Sequence, residues 1–498
     1  MYISTRGNYQ KVTAAEAIKM GMVPPGGLFV PESIPRIRES RLAEMVGQEY
    51  QEIAKRIISL FLDDYSKSEI DECVTKAYNL DNFDHEDMAP LHKLDESTYI
   101  LELWHGPTAA FKDMALQIMP YFLSLAIEKV GSQKEVVILV ATSGDTGKAA
   151  LEGFKDVPGI KIIVFFPYQG VSKVQELQMA TTDGDNTYVV AVEGNFDDCQ
   201  SAVKDIFAST QFKAVLDERG YALSSANSIN WGRLLPQIVY YFASYLKLVT
   251  DGEIKLGEKV NFVVPTGNFG NILAGWYAYK MGLPVNKFIC ASNENKVLTD
   301  FFRTGTYNRK RDFKQTNSPS MDILISSNLE RFLFEITGHD ADKIRQWMDE
   351  LNSAGQFTVN PETKEAIAEI LAGGSATEEE TLKIIKDNFM KNKYTFDTHT
   401  AVAVKVYQDY AGQTGDRTKT IIEATASPFK FNSSVLQAIQ GEAAVTDKDE
   451  LQILDELSSL SGLPIHPGLR NLADKPVLHT TVCQKDEMKK EIEKILNL

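Results

Sequence analysis

The chain has 498 residues, 43% of them hydrophobic and 24% charged, and a formal net charge of −16. This length allows two to four domains with a large buried core, and the acidic balance disfavours nucleic acid or an anionic membrane as a partner. No apolar run approaches the roughly 18 residues of a transmembrane helix, and residues 1–15 show no targeting pattern, so we expect a cytoplasmic protein. The four cysteines form no CxxC pair, which argues against a disulfide framework and a metal site.

Residues 1–95 have mixed patterning and are predicted to form a separate N-terminal lobe. A probable strand at 98–103 then leads to the sequence HGPTAAFKD at 105–113. Helical spacing over 113–127 places Lys112 where a loop becomes a helix, although Pro120 predicts a kink. A desolvated lysine at such a junction is a usable amine nucleophile, but most lysines are solvated, and this motif by itself favours a solvated one.

From residue 135 onward, short apolar strands alternate with helices in two successive series. This alternation predicts parallel sheets covered on both faces, and hence an α/β protein with two open α/β units. We predict a small domain at 135–214 and a large domain built from 96–134 and 215–498. Ligands of such sheets bind at the carboxyl ends of the strands, often in the cleft between units. The charged segment 354–388, broken by two glycines, is predicted to be a surface excursion.

A hydroxyl-rich turn, Thr142–Lys148, directly follows a predicted strand. A P-loop would need glycine at position 142 and a hydroxyl residue at 149, whereas the chain has Thr142 and Ala149. The turn therefore suits a small anion such as a carboxylate at a helix N-terminus, and a plain strand-to-helix turn is equally compatible.

A second turn, Thr266–Asn271, also follows a strand and contains two glycines that let backbone N–H groups approach a phosphate. It lacks GxGxxG, so a single phosphate fits better than a dinucleotide.

The segment 224–233, SSANSINWGR, supplies hydroxyls, amides and one guanidinium. Arg233 could bind a phosphate or carboxylate in bidentate fashion. Alternatively Ser228 or Asn230 caps a helix and Arg233 is solvated, which this segment by itself favours.

The joint occurrence of these features resembles the threonine synthase family within the fold type II pyridoxal phosphate enzymes. The motifs that carry the resemblance are HGPTAAFKD at 105–113, SGDTG at 143–147, GNFGN at 267–271, GLFVP at 27–31 and TASPFKF at 425–431. They span nearly the whole chain, which a single shared motif would not.

The resemblance implies a role for each matching residue. Lys112 would form the Schiff base with pyridoxal 5′-phosphate and shuttle protons, while Thr425 would face the ring nitrogen and leave a milder electron sink than a carboxylate would. The residues implied for the cofactor phosphate are Gly267, Asn268, Phe269, Gly270 and Asn271. Those implied for the substrate carboxylate are Thr142, Ser143, Asp145 and Thr146, with Asp145 orienting the loop. Those implied for the substrate phosphate are Asn227, Ser228 and Arg233, with Lys148 or Lys173 nearby.

The implied reaction converts O-phospho-L-homoserine and water to L-threonine and phosphate. The partner is then a small-molecule substrate, and we expect a monomer or homodimer. Two alternatives remain open: a pyridoxal phosphate-dependent dehydratase or phospho-lyase on a related amino acid, and a non-catalytic regulatory relative. His105 is given no catalytic role.

Overall fold

The computed structural model describes the backbone of residues 1–498 and the side chains of residues 1–196 and 198–498. Two sheets that are largely parallel and two short antiparallel ribbons contain the strands. In chain order the strands are β1 (Tyr2–Ser4), β2 (Phe29–Pro31), β3 (Leu91–Lys93), β4 (Thr98–Glu102), β5 (Glu135–Ala141), β6 (Ile160–Pro167), β7 (Thr187–Glu193), β8 (Tyr221–Ser224), β9 (Val260–Pro265), β10 (Val285–Ser292), β11 (Thr306–Asn308), β12 (Gln356–Thr358), β13 (Leu371–Ser375), β14 (Thr420–Ala424) and β15 (Thr481–Gln484).

Helices cover these sheets and build the N-terminal lobe. In chain order they are α1 (Ala14–Met20), α2 (Glu39–Ala43), α3 (Tyr50–Ser59), α4 (Lys67–Ala77), α5 (Asp113–Leu116), α6 (Met119–Lys129), α7 (Asp145–Phe154), α8 (Lys173–Ala180), α9 (Phe196–Ala208), α10 (Thr210–Glu218), α11 (Trp231–Thr250), α12 (Gly270–Met281), α13 (Val297–Thr304), α14 (Leu329–Ile336), α15 (Ala341–Ala354), α16 (Pro361–Ile370), α17 (Glu378–Asn392), α18 (Thr398–Thr414), α19 (Asn432–Gln440), α20 (Glu450–Ser461) and α21 (Met488–Leu496). In the part of the chain described, no helix is both long and apolar enough to cross a membrane.

The larger sheet has the order β13-β10-β9-β14-β4-β3, and the smaller one β15-β7-β6-β5-β8. β3 runs antiparallel to β4, whereas the other neighbours in both sheets are parallel. Parallel strands need crossover connections, which the helices between them supply. The predicted α/β class with two open units and an N-terminal lobe is confirmed.

Sheet membership departs from the predicted domain boundaries at three strands. β3 belongs to the larger sheet although the predicted lobe extends to residue 95, and β8 and β15 belong to the smaller sheet although 215–498 was assigned to the large domain. β8 and β15 pair with β5 and β7, which are distant in sequence, so local sequence patterns do not encode these pairings. β3 instead forms an antiparallel pair with β4, which directly follows it.

Two local predictions are also corrected. The segment 354–388 is not a surface excursion: its glycine pair lies in β13, which pairs with β10, and Ile385 of α17 is fully buried. Pro120 does not kink one long helix, because α5 ends at Leu116 and Pro120 lies in the first turn of α6. Proline is tolerated there because its missing N–H would have no intrahelical acceptor.

The C-terminal helix α21 is expected to stabilise the smaller sheet. Ile492 is fully buried in a cluster with Cys483 of β15 and Val192 of β7. Replacing Ile492 with Ala should lower the free energy of unfolding of this unit by about 2–5 kcal/mol, because it leaves a cavity. Chemical denaturation followed by circular dichroism measures this, and the exposed neighbour variant Lys490→Ala should change stability by no more than about 0.5 kcal/mol. Equal effects of both variants would contradict a structural role for α21.

Candidate active site

A cavity of about 1040 Å³ is lined by loops that leave the carboxyl ends of strands from both sheets. Lys112 follows β4, Ser143 follows β5, Asn268 follows β9 and Thr425 follows β14. All of the residues predicted for the site lie in the wall of this cavity, namely Lys112, Thr142, Ser143, Asp145, Thr146, Asn227, Ser228, Arg233, Gly267, Asn268, Phe269, Gly270, Asn271 and Thr425. The fold therefore gathers five separate chain segments around one space.

Lys112 is buried in the cavity wall, so the solvated alternative is wrong. Its Nζ lies 4.9 Å from the centre of the Phe111 ring and 3.7 Å from Oδ2 of Asp145. Burial is the main cause that lowers the pKa of Lys112 to about 8; Asp145 opposes it, and the cations Arg233 and Lys430 reinforce it. The amine is thus easier to deprotonate than that of an ordinary lysine.

The loop that carries Lys112 is held by Asp113. The Asp113 carboxylate accepts hydrogen bonds from the backbone N–H and the hydroxyl of Thr108, each at 2.8 Å. Gly106 packs against the Asp113 side chain and leaves no room for a Cβ. Burial raises the pKa of Asp113 to about 7, which the bonds from Thr108 oppose. The amine of Lys112 is therefore fixed at the start of α5.

Asp145, the first residue of α7, carries the negative charge next to that amine. Its Oδ1 accepts from Nζ of Lys430 at 2.8 Å and from Nε2 of Gln175 at 3.0 Å, and its Oδ2 accepts from Oγ of Ser320 at 3.2 Å. Burial by itself raises the pKa of Asp145, but Lys430 and then Lys112 outweigh it and hold the pKa far below its ordinary value. Asp145 is therefore ionised.

The Thr142 side chain is turned into its own loop. Its hydroxyl oxygen accepts from the backbone N–H groups of Gly144 at 3.0 Å and Gly147 at 2.9 Å. Thr142 thus shapes the turn through its side chain, while the half-buried Ser143 and Thr146 line the cavity at the N-terminus of α7.

The turn at 267–271 wraps the N-terminus of α12. Phe269 has a φ of 63°, and the centre of its ring lies 5.4 Å from that of Phe332, so the turn packs against α14. Oγ of Ser326 donates to the carbonyl of Gly267 at 2.7 Å. The first N–H groups of a helix have no intrahelical acceptor and, together with the helix dipole, suit a phosphate.

The side chain of Asn271 is committed to the core. Its Oδ1 accepts from the hydroxyls of Tyr240 at 2.6 Å and Tyr241 at 2.8 Å, and its Nδ2 donates to Glu423. Asn271 therefore offers its backbone N–H, not its amide, to an anion in the turn.

Arg233 lies in the first turn of α11 and is 5% exposed. One of its N–H groups donates to the carbonyl of Ala226 at 2.8 Å, and no carboxylate among the described side chains forms an ion pair with it. Burial lowers the pKa of Arg233 to about 10. The capping alternative is confirmed for Asn230, whose Oδ1 accepts from the N–H of Gly232 at 2.9 Å, but the alternative that Arg233 is solvated is wrong.

Ser228 and Asn227 lie between Arg233 and the turn at 267–271. Oγ of Ser228 accepts from Nδ2 of Asn328 at 3.1 Å, and the same Asn328 amide donates to the carbonyl of Asn268 at 3.1 Å. One amide thereby ties the two anion-binding segments together.

Lys148 and Lys173 do not reach the cavity. Nζ of Lys148 donates to Glu152 at 2.7 Å and to Thr182 at 3.0 Å, and the exposed Lys173 pairs with Glu176 at 3.3 Å. Neither lysine lines the cavity, so the expectation that one of them lies near a substrate phosphate there is wrong.

His105 lies outside the cavity wall and is structural. Its ring lies between Asp84 at 2.6 Å and Glu102 at 2.8 Å and stacks on Trp104 at 4.2 Å. Burial lowers its pKa, but these two carboxylates outweigh burial and raise it to about 9.

Three residues near the centre of the site were not predicted: Lys430, Ser320 and His399. Lys430 belongs to the TASPFKF motif, so the sequence held a signal for it. His399 lines the cavity and accepts the N–H of Ser320 at its Nε2 at 3.2 Å, while its Nδ1 lies 3.1 Å from Asp397. These contacts assign the proton of a neutral ring to Nδ1.

Comparisons with known proteins agree with this geometry. Family models described as threonine synthase N terminus, pyridoxal-phosphate dependent enzyme, and threonine synthase, C-terminal match residues 1–78, 83–425 and 400–477. Threonine synthase-like 1 of Homo sapiens is 40% identical over 97% of this chain and 67% of its own, and threonine synthase of Methylobacillus glycogenes is 37% identical over 88% and 92%. Among solved structures, PLP-bound threonine synthase from Brucella melitensis has a TM-score of 0.86 at 35% identity, covering 99% of this chain and 98% of its own. Yeast threonine synthase has a TM-score of 0.88 at 32% identity, and the match covers 100% of this chain and 98% of the yeast chain.

The two open sheets and the buried lysine between a phosphate-type turn and a hydroxyl define a fold type II pyridoxal phosphate-dependent enzyme. The chain belongs to the threonine synthase family.

Its cofactor is pyridoxal 5′-phosphate, and the cavity residues fit that molecule. The N-terminus of α12 offers N–H groups for its phosphate, Lys112 an amine for its aldehyde, and Thr425 a hydroxyl for its ring nitrogen.

The lowered pKa of Lys112 predicts its reactivity. In protein freed of cofactor, reductive methylation of Lys112 should reach half its maximal rate near pH 8, because burial disfavours the charged amine. The exposed Lys490 lacks this burial and serves as the control. Mass spectrometry of the labelled peptides as a function of pH measures both, and coincident midpoints would contradict the desolvation of Lys112.

Proposed function

We propose that this chain converts O-phospho-L-homoserine and water into L-threonine and phosphate. The observation that carries the proposal is Arg233, a buried guanidinium that faces the same cavity as Lys112 and has no carboxylate partner among the described side chains. A desolvated cation of this kind calls for an anion from outside the chain. With the turn at 267–271 assigned to the cofactor phosphate, Arg233 is left for a phosphate on the substrate.

We assign the cofactor to the residues that already surround the cavity. The backbone of Gly267, Asn268, Phe269, Gly270 and Asn271 would hold its phosphate. When bound, pyridoxal phosphate supplies the electron sink for removing protons next to the substrate amine. The hydroxyl of Thr425 would hydrogen-bond the ring nitrogen but would not stabilise a positive charge there as a carboxylate would.

Lys112 is the group that takes and returns protons. Its lowered pKa leaves a usable fraction of neutral amine near pH 8, and Nζ lies in the cavity wall, within reach of the substrate carbons held there. General acid–base catalysis is most effective when the pKa lies close to the working pH. We propose that Nζ removes the α-proton and then a β-proton of the substrate, so that the γ-phosphate leaves. A proton then returns to the γ-carbon, the hydroxyl of water adds at the β-carbon, and a proton returns to the α-carbon, while the remaining proton of water leaves with the phosphate.

The substrate carboxylate is assigned to the N-terminus of α7. Ser143 and Thr146 line the cavity there, and the Thr142 hydroxyl fixes the loop. The ionised Asp145 repels a carboxylate, so its part is to orient this loop and to lie beside Lys112. Asn227, Ser228 and Arg233 would bind the substrate phosphate.

The reaction is tested by its products. Holoenzyme supplied with O-phospho-L-homoserine should release threonine and phosphate in equal amounts, measured by amino-acid chromatography and a phosphate assay. Lys112→Ala should bind the cofactor through the turn at 267–271 yet form no threonine. Release of 2-oxobutanoate instead of threonine would support the dehydratase or lyase alternative, and no turnover by wild-type holoenzyme would support the non-catalytic one.

Arg233 is expected to act mainly through substrate phosphate binding. Arg233→Ala removes a buried charged contact and should raise KM by at least roughly 30-fold, equivalent to about 2 kcal/mol or more. Inhibition by inorganic phosphate should weaken in parallel, whereas the exposed variant Arg219→Ala should leave both unchanged. Steady-state kinetics with and without phosphate measure this, and an unaltered KM would remove Arg233 from the site.

A further inference from the structure

A fully buried cation, Lys430, lies next to the site, and its side chain is 0% exposed. Its ammonium group donates to Oδ1 of Asp145 at 2.8 Å, to Oε1 of Gln178 at 2.9 Å and to the carbonyl of Thr108 at 3.1 Å. A lysine ammonium has three donors, and here each has its own acceptor. The position of the charge is therefore fixed.

These acceptors come from both sides of the cavity. Asp145 and Gln178 belong to α7 and α8 beside the smaller sheet, whereas Thr108 belongs to the loop that carries Lys112. The Nε2 of Gln178 also donates to the carbonyl of Gly468 at 3.0 Å, and Gly468 packs on Pro107 so closely that a Cβ would not fit. Lys430 thus joins the Asp145 loop to the Lys112 loop.

Of the two lysines next to Asp145, only Lys430 is hydrogen-bonded to its carboxylate. Oδ1 is occupied by Lys430 and Gln175, and Oδ2 accepts from Ser320 at 3.2 Å. Nζ of Lys112 remains 3.7 Å from Oδ2, beyond hydrogen-bond distance. The carboxylate is therefore bonded to Lys430 and only near Lys112.

We infer that Lys430 is a positioning residue that draws the Asp145 carboxylate away from the Lys112 nitrogen and so keeps that nitrogen ready to release its proton. A carboxylate bonded directly to Lys112 would hold the proton and hinder general-base catalysis. The inference rests on the proposed role of Lys112, but it does not depend on which phosphorylated amino acid is the substrate.

The charged groups around Lys112 agree in direction with this inference. Burial lowers the pKa of Lys112 most, Asp145 raises it, and Arg233 and Lys430 lower it. The charged neighbours that act on Lys112 come from different elements: Asp145 from α7, Arg233 from α11, Lys430 from the segment after β14, and Asp113 from α5.

The experiment uses the holoenzyme without substrate. The observable is the pH midpoint of the change in cofactor absorbance that accompanies proton loss from the Lys112 nitrogen. Lys430→Met should raise this midpoint by about one pH unit, because the full charge of Asp145 then acts on Lys112. Asp145→Asn should lower it by a similar amount, and the double variant should lie between the two.

A merely structural role for Lys430 predicts a different pattern. Loosening of the loops would move both single variants in the same direction or leave both midpoints unchanged, and either result would overturn the inference. Lys405 of α18 forms ion pairs with Glu380 of α17 and with Asp409. Lys405→Met should leave the midpoint unchanged. A shift in this control equal to that of Lys430→Met would also count against the inference.

Two further variants keep the test decisive. If Lys430→Met does not fold, Lys430→Gln should still shift the midpoint upward, by a smaller amount, because a neutral amide draws the Asp145 carboxylate less strongly than an ammonium group does. Lys112→Ala separates the two proposals: if borohydride still traps the cofactor in that variant, the assigned role of Lys112 fails first. If trapping is lost with Lys112 but Lys430→Gln leaves the midpoint unchanged, the inference about Lys430 fails and the proposed function stands.

Discussion

Desolvation of positive charge is the constraint on which this site depends. Lys112 and Arg233 are buried in the wall of one cavity, and Lys430 is buried against Asp145, which lies in the same wall. Asp145 is the carboxylate that bonds Lys430 and lies near Lys112. Burying a charge costs free energy unless a partner compensates for it. Asp145 compensates for Lys430 through a hydrogen bond and for Lys112 in part. The buried charge of Arg233 in the cavity wall therefore stays without a carboxylate partner among the described side chains, in a chain whose formal net charge is −16.

The fold produces this arrangement because the carboxyl ends of parallel strands from two sheets face one cleft. β4, β9 and β14 of the larger sheet lead to Lys112, to the turn at 267–271 and to Thr425, and β5 of the smaller sheet leads to the turn at 142–146. Strand ends are fixed by the sheet, whereas the loops between them are free to vary in sequence. Residues more than 300 positions apart, such as Thr108 and Lys430, thereby come within hydrogen-bond distance.

The sequence could predict those features that depend on residues close together in the chain, and it could not predict those that depend on distant ones. The turns that hold Lys112, Thr142 and Phe269 depend on neighbouring residues, and their positions in the cavity agree with the motifs. The pairing of β8 and β15 with the smaller sheet, and of β13 with β10, depends on contacts distant in sequence, and local patterns misassigned all three. Lys148 is positively charged and directly follows the SGDTG motif, but its side chain bonds Glu152, one helical turn further along α7, and does not line the cavity.

Glu423 belongs to a hydrogen-bond network that joins the N-terminus of α12 to the first turn of α11. It lies two residues before Thr425 on β14, and burial raises its pKa to about 8, although hydrogen bonds oppose this, so it is mostly protonated at neutral pH. It accepts from the amide of Asn271, whose own oxygen accepts from Tyr240.

The same network continues towards the substrate side of the cavity. The Tyr240 hydroxyl lies 3.2 Å from Oε1 of Gln237, and Nε2 of Gln237 donates to the carbonyl of Arg233 at 2.9 Å. A buried network of neutral groups with fixed partners resists displacement, because each broken bond would leave a buried polar group unsatisfied. The network therefore joins the N-terminus of α12 to the first turn of α11 and fixes the spacing between the two segments to which the proposed function assigns the two phosphates.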